Sequence, residues 1–322
     1  MADHKTGAMK VAVSAYLKGV LRERLPPDLE VAWFASAEEA DHAVEGAEAV
    51  LLDLLNGPAR LAHIIERGES LKWVSSSFAG IDRYPLDLIG RRGLLFTHGG
   101  GINAVAVAEW AVMSLFVLAK GFHQVVLMHE RAEWGTQPFG TTQVAGSKVL
   151  LIGYGYIGKE IQRQLSGIGA DVTVVRSKAE PTCGVLGPEG WKVRLAEFDF
   201  VILSAPGTPE TRHMIGAEEL KAMKKTAGLI NIARGSLIDQ DALVAAVRSG
   251  EIAGAVLDPT EPEPLPSEHP LWRTPGITVT AHLSGRSTAT HRERAADLFL
   301  ENLRRYRAGE EMINLVDPEK GY

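Results

Sequence analysis

Lys148-Val-Leu-Leu-Ile-Gly153-Tyr-Gly155-Tyr-Ile-Gly158 is the stretch from which the fold of this chain is read. The apolar run that opens it has the composition of a buried strand, and Lys159 to Leu165, which follows, is helix-forming. A strand, a glycine turn and a helix start make the arrangement that holds a dinucleotide pyrophosphate. The first glycine permits the turn, the second lets the backbone approach the phosphates, and the third packs helix on strand. The helix N-terminus adds free N–H groups and a partial positive charge. Glycines at this spacing are weak evidence alone; here a strand precedes and a helix follows, which is the context the motif requires.

The next strand indicates which dinucleotide. Ala170-Asp-Val-Thr-Val-Val175 ends in Arg176-Ser177-Lys178, roughly twenty residues past the glycines. A site for NAD wants an acidic side chain there for the ribose 2′-OH, whereas an Arg accommodates a 2′-phosphate. Asp171 stands at the wrong end of the strand. The expected cofactor is therefore NADP(H), with Arg176, Ser177 and Lys178 around the phosphate and NAD(H) as the second option.

Working outward, the chain of 322 residues is too long for one ordinary core and suits two domains. Before the glycine turn, the strand-like runs at 10–15, 30–34, 49–53, 71–75 and 94–97 alternate with helix-like segments at 37–44 and 58–67. Such alternation predicts a parallel, doubly wound sheet. A long apolar helix, about Asn103 to Ala119 with Asn103 as N-cap, introduces the second unit. Its six expected strands are 148–152, 171–175, 198–204, 228–232, 253–257 and 277–280, with helices at 218–225 and 241–248. The fold class is α/β, with two doubly wound parallel-sheet domains. One is a Rossmann dinucleotide-binding domain, residues 102–286. The other is a discontinuous flavodoxin-like substrate domain, residues 1–101 and 287–322, to which the helical stretch 288–307 and the apolar tail 312–316 return.

The net charge of -6 argues against a nucleic-acid surface. The one cysteine, Cys183, excludes a disulfide framework and fits a reducing cytosol, so a cytoplasmic location is expected. The start of the chain is polar and unlike a signal peptide, and the apolar stretch 104–118 carries Glu109 and is too short to span a bilayer. No membrane partner is expected. No histidine pair has metal-ligand spacing, so no metal is expected either.

In open α/β sheets, ligands bind outside the carboxyl ends of the strands. Arg234, Glu263 and His282 each follow an expected strand of the second unit. Glu261 lies in the same proline-rich segment as Glu263 and competes for its role. Beside a nicotinamide ring, hydride transfer to a carbonyl carbon also requires a proton for the carbonyl oxygen. Of these three residue types only histidine titrates near neutrality in water, so His282 is the natural acid/base. Glu263 beside it would orient the ring. The planar fork of Arg234 can grip a carbonyl oxygen and stabilise charge growing on it. Trp134 is expected to pack, with a place beside the substrate as its second reading.

With these residues in view, the chain resembles the D-isomer-specific 2-hydroxyacid dehydrogenases over nearly its full length. The segments carrying the likeness are Gly153 to Gly158, Ser204 to Ile215, Asn231 to Asp239, Asp258 to Pro266, Ala281 to Gly285 and the ending Gly321-Tyr322. The resemblance implies that Arg234, Glu263 and His282 are catalytic and that Asp258 holds the nicotinamide carboxamide. It implies further cofactor contacts at Gly153, Gly155, Tyr156, Ile157, Gly158, Ala205, Pro206, Thr211, Ile232, Ala233, His282 and Gly285. Phe78, Ala79 and Gly80 resemble the turn that offers backbone N–H groups to the substrate carboxylate, which Arg234 also binds. The resemblance implies a homodimer as well, through the helix from Asn103 and the segment after it. Where the family commonly has Pro before the catalytic His, this chain has Ala281, which is expected to loosen the loop slightly.

The function expected is NADP(H)-dependent reduction of a small 2-keto acid, of the glyoxylate or hydroxypyruvate kind, to the D-2-hydroxy acid. The alternatives are an NAD-dependent oxidative D-2-hydroxyacid dehydrogenase and a non-catalytic, dinucleotide-sensing interaction protein of the same fold.

Overall fold

The computed structural model describes residues 8–52, 57–81, 83–135, 140–177, 185–286 and 288–318. Lys178, Cys183 and the Gly321-Tyr322 ending lie outside them. The chain divides into two units, Met1–Asn103 with Ser287–Tyr322 and Ala104–Arg286.

In the first unit, β1 (Lys10–Ser14), β2 (Glu30–Phe34), β3 (Ala49–Leu52), β4 (Trp73–Ser76) and β5 (Leu95–Thr97) pair in the order β2-β1-β3-β4-β5. All pairs are parallel. The inner strands β3 and β4 are buried at every position, which is why such strands read as unbroken apolar runs rather than as alternating ones. The short helices α1 (Lys18–Leu21), α2 (Ala37–Ala43), α3 (Pro58–Arg67) and α4 (Leu86–Arg91) connect them. Ser36 caps α2 by accepting from Glu39 N–H, and Pro58 opens α3 where its missing N–H costs nothing. Phe34, Val50, Leu61, Ile64 and Phe96 fill one face of the sheet. Val11, Val13 and Trp73 fill the other, against Ala295, Phe299 and Leu303 of α10 (Thr288–Ala308). The tail after α10 lies beside β5: Leu315 bridges Thr97, and Val316 N–H donates to Phe96 O at 2.8 Å. Asn302, 1% exposed, holds the tail by bonding both the N–H and the C=O of Ile313.

The second unit begins with α5 (Ala104–Lys120) and α6 (Phe122–Glu130). Its strands are β6 (Lys148–Ile152), β7 (Asp171–Val175), β8 (Val185–Leu186), β9 (Phe200–Leu203), β10 (Gly228–Asn231), β11 (Gly254–Leu257) and β12 (Ile277–Val279). They form one parallel sheet in the order β12-β11-β10-β9-β6-β7-β8. Its helices are α7 (Tyr156–Gly167), α8 (Ala217–Ala222) and α9 (Gln240–Ser249). The sheet has seven strands where six are expected, because a two-residue strand such as β8 is too short for any periodic pattern. The helix expected over 218–225 ends earlier, since Met223 is extended at ψ 164°. Among the described residues no single helix is long and apolar enough to cross a membrane; α5 and α6 would be so only together, and they are bent by 69°.

The strand order reverses between β6 and β9, the place where doubly wound sheets bind ligands. Register brings the strand ends into line. Ile152, Leu203, Asn231, Leu257 and Val279 are successive cross-sheet partners. Gly153, Ser204, Ile232, Asp258 and Thr280 therefore leave the sheet along one edge.

Candidate active site

The glycine turn sits at the centre of that edge. Gly153 has φ +104°, and a Cβ there would stand 2.4 Å from the carbonyl of Ser204. A Cβ on Gly158 would stand 2.2 Å from Gly153 O, so this glycine is what lets α7 lie against the turn. Gly155 differs: no atom lies within 4 Å of its added Cβ. It caps α7 without a side-chain hydrogen bond, and no acidic residue stands in the first turn. The helix therefore presents uncapped N–H groups, and the space beside Gly155 is what a pyrophosphate needs. Among the described residues, Ser204 Oγ is buried close by without a partner. These residues fit a dinucleotide.

Arg176, half-buried at the end of β7, fixes its backbone by donating to Leu186 O at 3.1 Å. Ser177 beside it is exposed. Asp171 is at the opposite end of the strand. Tyr156 is 55% exposed on the first turn of α7, followed by half-buried Ile157. Ala205 is buried and Pro206 exposed. Thr211 accepts from Thr208 N–H and donates to Pro206 O at 2.7 Å, so its hydroxyl shapes the loop after β9.

The structure brings Glu263 and His282 together. His282 Nδ1 lies 3.0 Å from each carboxylate oxygen of Glu263. A carboxylate only accepts, so Nδ1 carries the hydrogen and Nε2 is left for other chemistry. Glu263 also accepts from Thr260 N–H at 3.3 Å. Glu261 is turned elsewhere: its carboxylate pairs with Arg212 at 3.1 Å.

Asp258, 1% exposed, ties down the loop that carries His282. Its carboxylate accepts from Thr280 Oγ1 at 2.7 Å, from Leu283 N–H at 2.8 Å and from Ser284 N–H at 3.1 Å. Its C=O accepts from His282 N–H at 2.8 Å. These bonds hold Ala281 and His282 at φ +53° and +55°, a region non-glycine residues avoid. Proline, locked near −65°, could not adopt that angle. Position 281 of this loop therefore excludes proline. Gly285 is the half-buried end of the loop.

Arg234 stands at the end of β10, with β11 between it and β12. Ile232 and Ala233, both buried, lead to it. Asn231, wholly buried, shapes the turn: its amide donates to Arg234 O at 2.7 Å and accepts from Ala233 N–H at 3.0 Å. The guanidinium donates to Ala233 O at 2.8 Å. Gly207 packs on the stem of Arg234, where an added Cβ would stand 2.9 Å from Cγ. The roles of Asn231 and Gly207 escape sequence reading, because a buried amide bonding backbone leaves no spacing signature.

Phe78, Ala79 and Gly80 belong to the first unit and follow β4. Phe78 and Gly80 are half-buried and Ala79 is exposed. The Phe78 ring lies 5.4 Å from that of His291, whose Nδ1 is 3.0 Å from Asn103 Oδ1. Burial, with Arg292 adding to it, pushes the His291 imidazole below its ordinary pKa. The packing expected for Trp134 is not found within this chain, where the side chain is 96% exposed. Among the described residues no three His, Cys, Asp or Glu side chains gather as a metal site would need.

Comparison with known proteins now adds to this geometry. The family profile of the NAD binding domain of D-isomer specific 2-hydroxyacid dehydrogenases matches residues 112–284. The chain belongs to that family. It is an NAD(P)-dependent oxidoreductase of the 2-hydroxyacid dehydrogenase class. A glyoxylate reductase of Korarchaeum cryptofilum is 33% identical over 84% of this chain and 82% of its own length. A D-3-phosphoglycerate dehydrogenase of Methanocaldococcus jannaschii is 29% identical over 90% of this chain, which spans only 55% of that relative. Among solved structures, a family member from Xanthobacter autotrophicus in complex with NADPH and MES superposes with a TM-score of 0.80 at 28% identity, covering 98% of this chain and all (100%) of that one. An NADPH-dependent glyoxylate/hydroxypyruvate reductase of Sinorhizobium meliloti, in complex with NADP and malonate, gives 0.76 at 25% identity, covering 97% and 98%.

Proposed function

We propose that this protein reduces a small 2-keto acid of the glyoxylate or hydroxypyruvate kind to the D-2-hydroxy acid, with NADP(H) preferred. The observation that carries the reading is the His282–Glu263 pair, 3.0 Å apart, on the strand edge that also bears the glycine turn. The bound cofactor supplies the hydride. Glu263 holds the Nδ1 side of the ring, so that Nε2 of protonated His282 faces the carbonyl oxygen and gives it a proton. Arg234 binds the keto acid and stabilises the charge growing on that oxygen. Asp258 keeps the His282 loop in place and retains acceptor capacity on Oδ2 for a carboxamide N–H. The backbone of Phe78 to Gly80 is the receiver proposed for a carboxylate. NADP(H) preference is supported by Arg176 and by the relatives solved with NADPH and with NADP. A homodimer through α5 and α6 is supported by the exposure of Phe116, Phe122, Val125, Val126 and Trp134.

The test is absorbance of NADPH and NADH with glyoxylate, hydroxypyruvate, pyruvate and phenylpyruvate, on protein whose sedimentation should report a dimer. Consumption is expected with a small keto acid and faster with NADPH. No consumption with any pair would overturn the reading in favour of a non-catalytic dinucleotide sensor.

A further inference from the structure

The turn after β4 presents backbone, and its neighbours determine where that backbone points. Phe78 N–H donates to Ser76 Oγ at 3.0 Å. Phe78 C=O accepts from Gly99 N–H at 2.8 Å. Ala79 C=O lies 3.0 Å from His98 Nδ1, and because a carbonyl only accepts, Nδ1 is the protonated nitrogen. In a planar trans peptide the C=O and the following N–H point to opposite sides. Anchoring Phe78 C=O on Gly99 therefore turns Ala79 N–H away from the 98–99 segment, and anchoring Ala79 C=O on His98 turns Gly80 N–H the same way. Among the described residues neither N–H has a partner. Successive free N–H groups on one side of a turn make a concavity for an anion.

His98 is itself held by the tail that follows α10. Its N–H donates to Asn314 O at 3.2 Å, and its C=O accepts from Asn314 Nδ2 at 3.2 Å. The same amide donates to Gly100 O at 2.8 Å. The ring lies on the Gly100 backbone, where an added Cβ would stand 2.8 Å from Cε1. Burial pushes this imidazole below its ordinary pKa, with the Ala79 bond opposing, so the neutral Nδ1–H form prevails at neutral pH.

We propose that His98, clasped by Asn314, is a positioning residue for carboxylate binding: it aims Gly80 N–H at the carboxylate of a 2-keto acid. This deepens the proposed function and rests on it for the identity of the ligand. Wild type, His98→Leu and His98→Asn are compared for KM of glyoxylate, KM of NADPH and the dissociation constant of oxamate, measured by calorimetry at saturating NADPH. The asparagine amide nitrogen falls where Nδ1 stood. His98→Leu should raise the glyoxylate KM and the oxamate constant about tenfold, the size of one hydrogen bond to a charged group. The NADPH KM should stay within about twofold, and His98→Asn should recover most of the loss. An unchanged oxamate constant in His98→Leu, a loss shared equally by NADPH, or His98→Asn no better than His98→Leu overturns the inference. Should His98→Leu not fold, His98→Asn against His98→Ala makes the same comparison, since the donor is lost and no charge is added. A wild type inactive on every keto acid that still binds oxamate in a His98-dependent way would sink the proposed reaction and leave this inference standing.

Discussion

The glycine turn after β6 and the turn after β4 both end a buried parallel strand with backbone N–H groups, yet they are built on opposite plans. At the first, tightness is intrinsic. Gly153 and Gly158 have no room for a Cβ, and the donors belong to the uncapped start of α7. At the second, the backbone is aimed from outside, by His98 and Gly99 gripping two successive carbonyls. A pyrophosphate must approach the main chain closely, so its turn is written in residues that lack side chains. A carboxylate needs only two well-directed N–H groups, which almost any side chains can flank.

That contrast can be broken at either end. The largest effect is expected at Gly153. Gly153→Val sets a branched side chain against the Ser204 carbonyl at φ +104°, and strain with overpacking should cost at least about 3 kcal/mol, read as a lost or strongly lowered Tm. Gly155→Ala, with open space around its Cβ, should keep Tm within a few degrees while raising the NADPH KM about tenfold or more; a Tm loss equal to that of Gly153→Val would erase the distinction. Next comes Arg176→Glu. If the guanidinium meets a 2′-phosphate, the NADPH KM should rise about 10- to 100-fold while that for NADH holds or falls, and equal changes would remove Arg176 from the cofactor site. The smallest effect is the about tenfold change expected at His98, which sharpens the comparison because it should fall on the keto acid alone.

The same contrast explains what could be read in the sequence. Two parallel sheets were legible because buried parallel strands are unbroken apolar runs, as in β3, β6 and β9. β8 was not, at two residues, nor were the ends of α8, where an extended Met223 stops the helix early, and of β9, which spans only Phe200–Leu203. Arg234, Glu263 and His282 stood out as polar residues at strand ends, but only Pro262 separates Glu261 from Glu263, and only folding turns one toward Arg212 and the other toward His282. Asn231, His98 and Asn314 were silent because each acts by bonding main chain, which imposes no recurring pattern on the residues it touches. Ala281 was visible as a departure from the family, while its meaning lay in a backbone angle that proline cannot take.

The account turns on the imidazole of His282 giving a proton to the keto oxygen. Steady-state reduction by His282→Gln beside wild type, with NADPH affinity measured by fluorescence on both, tests this most directly. The expected result is a fall in kcat of about 10²- to 10⁴-fold with the NADPH dissociation constant within about twofold. A variant that keeps its kcat would contradict it.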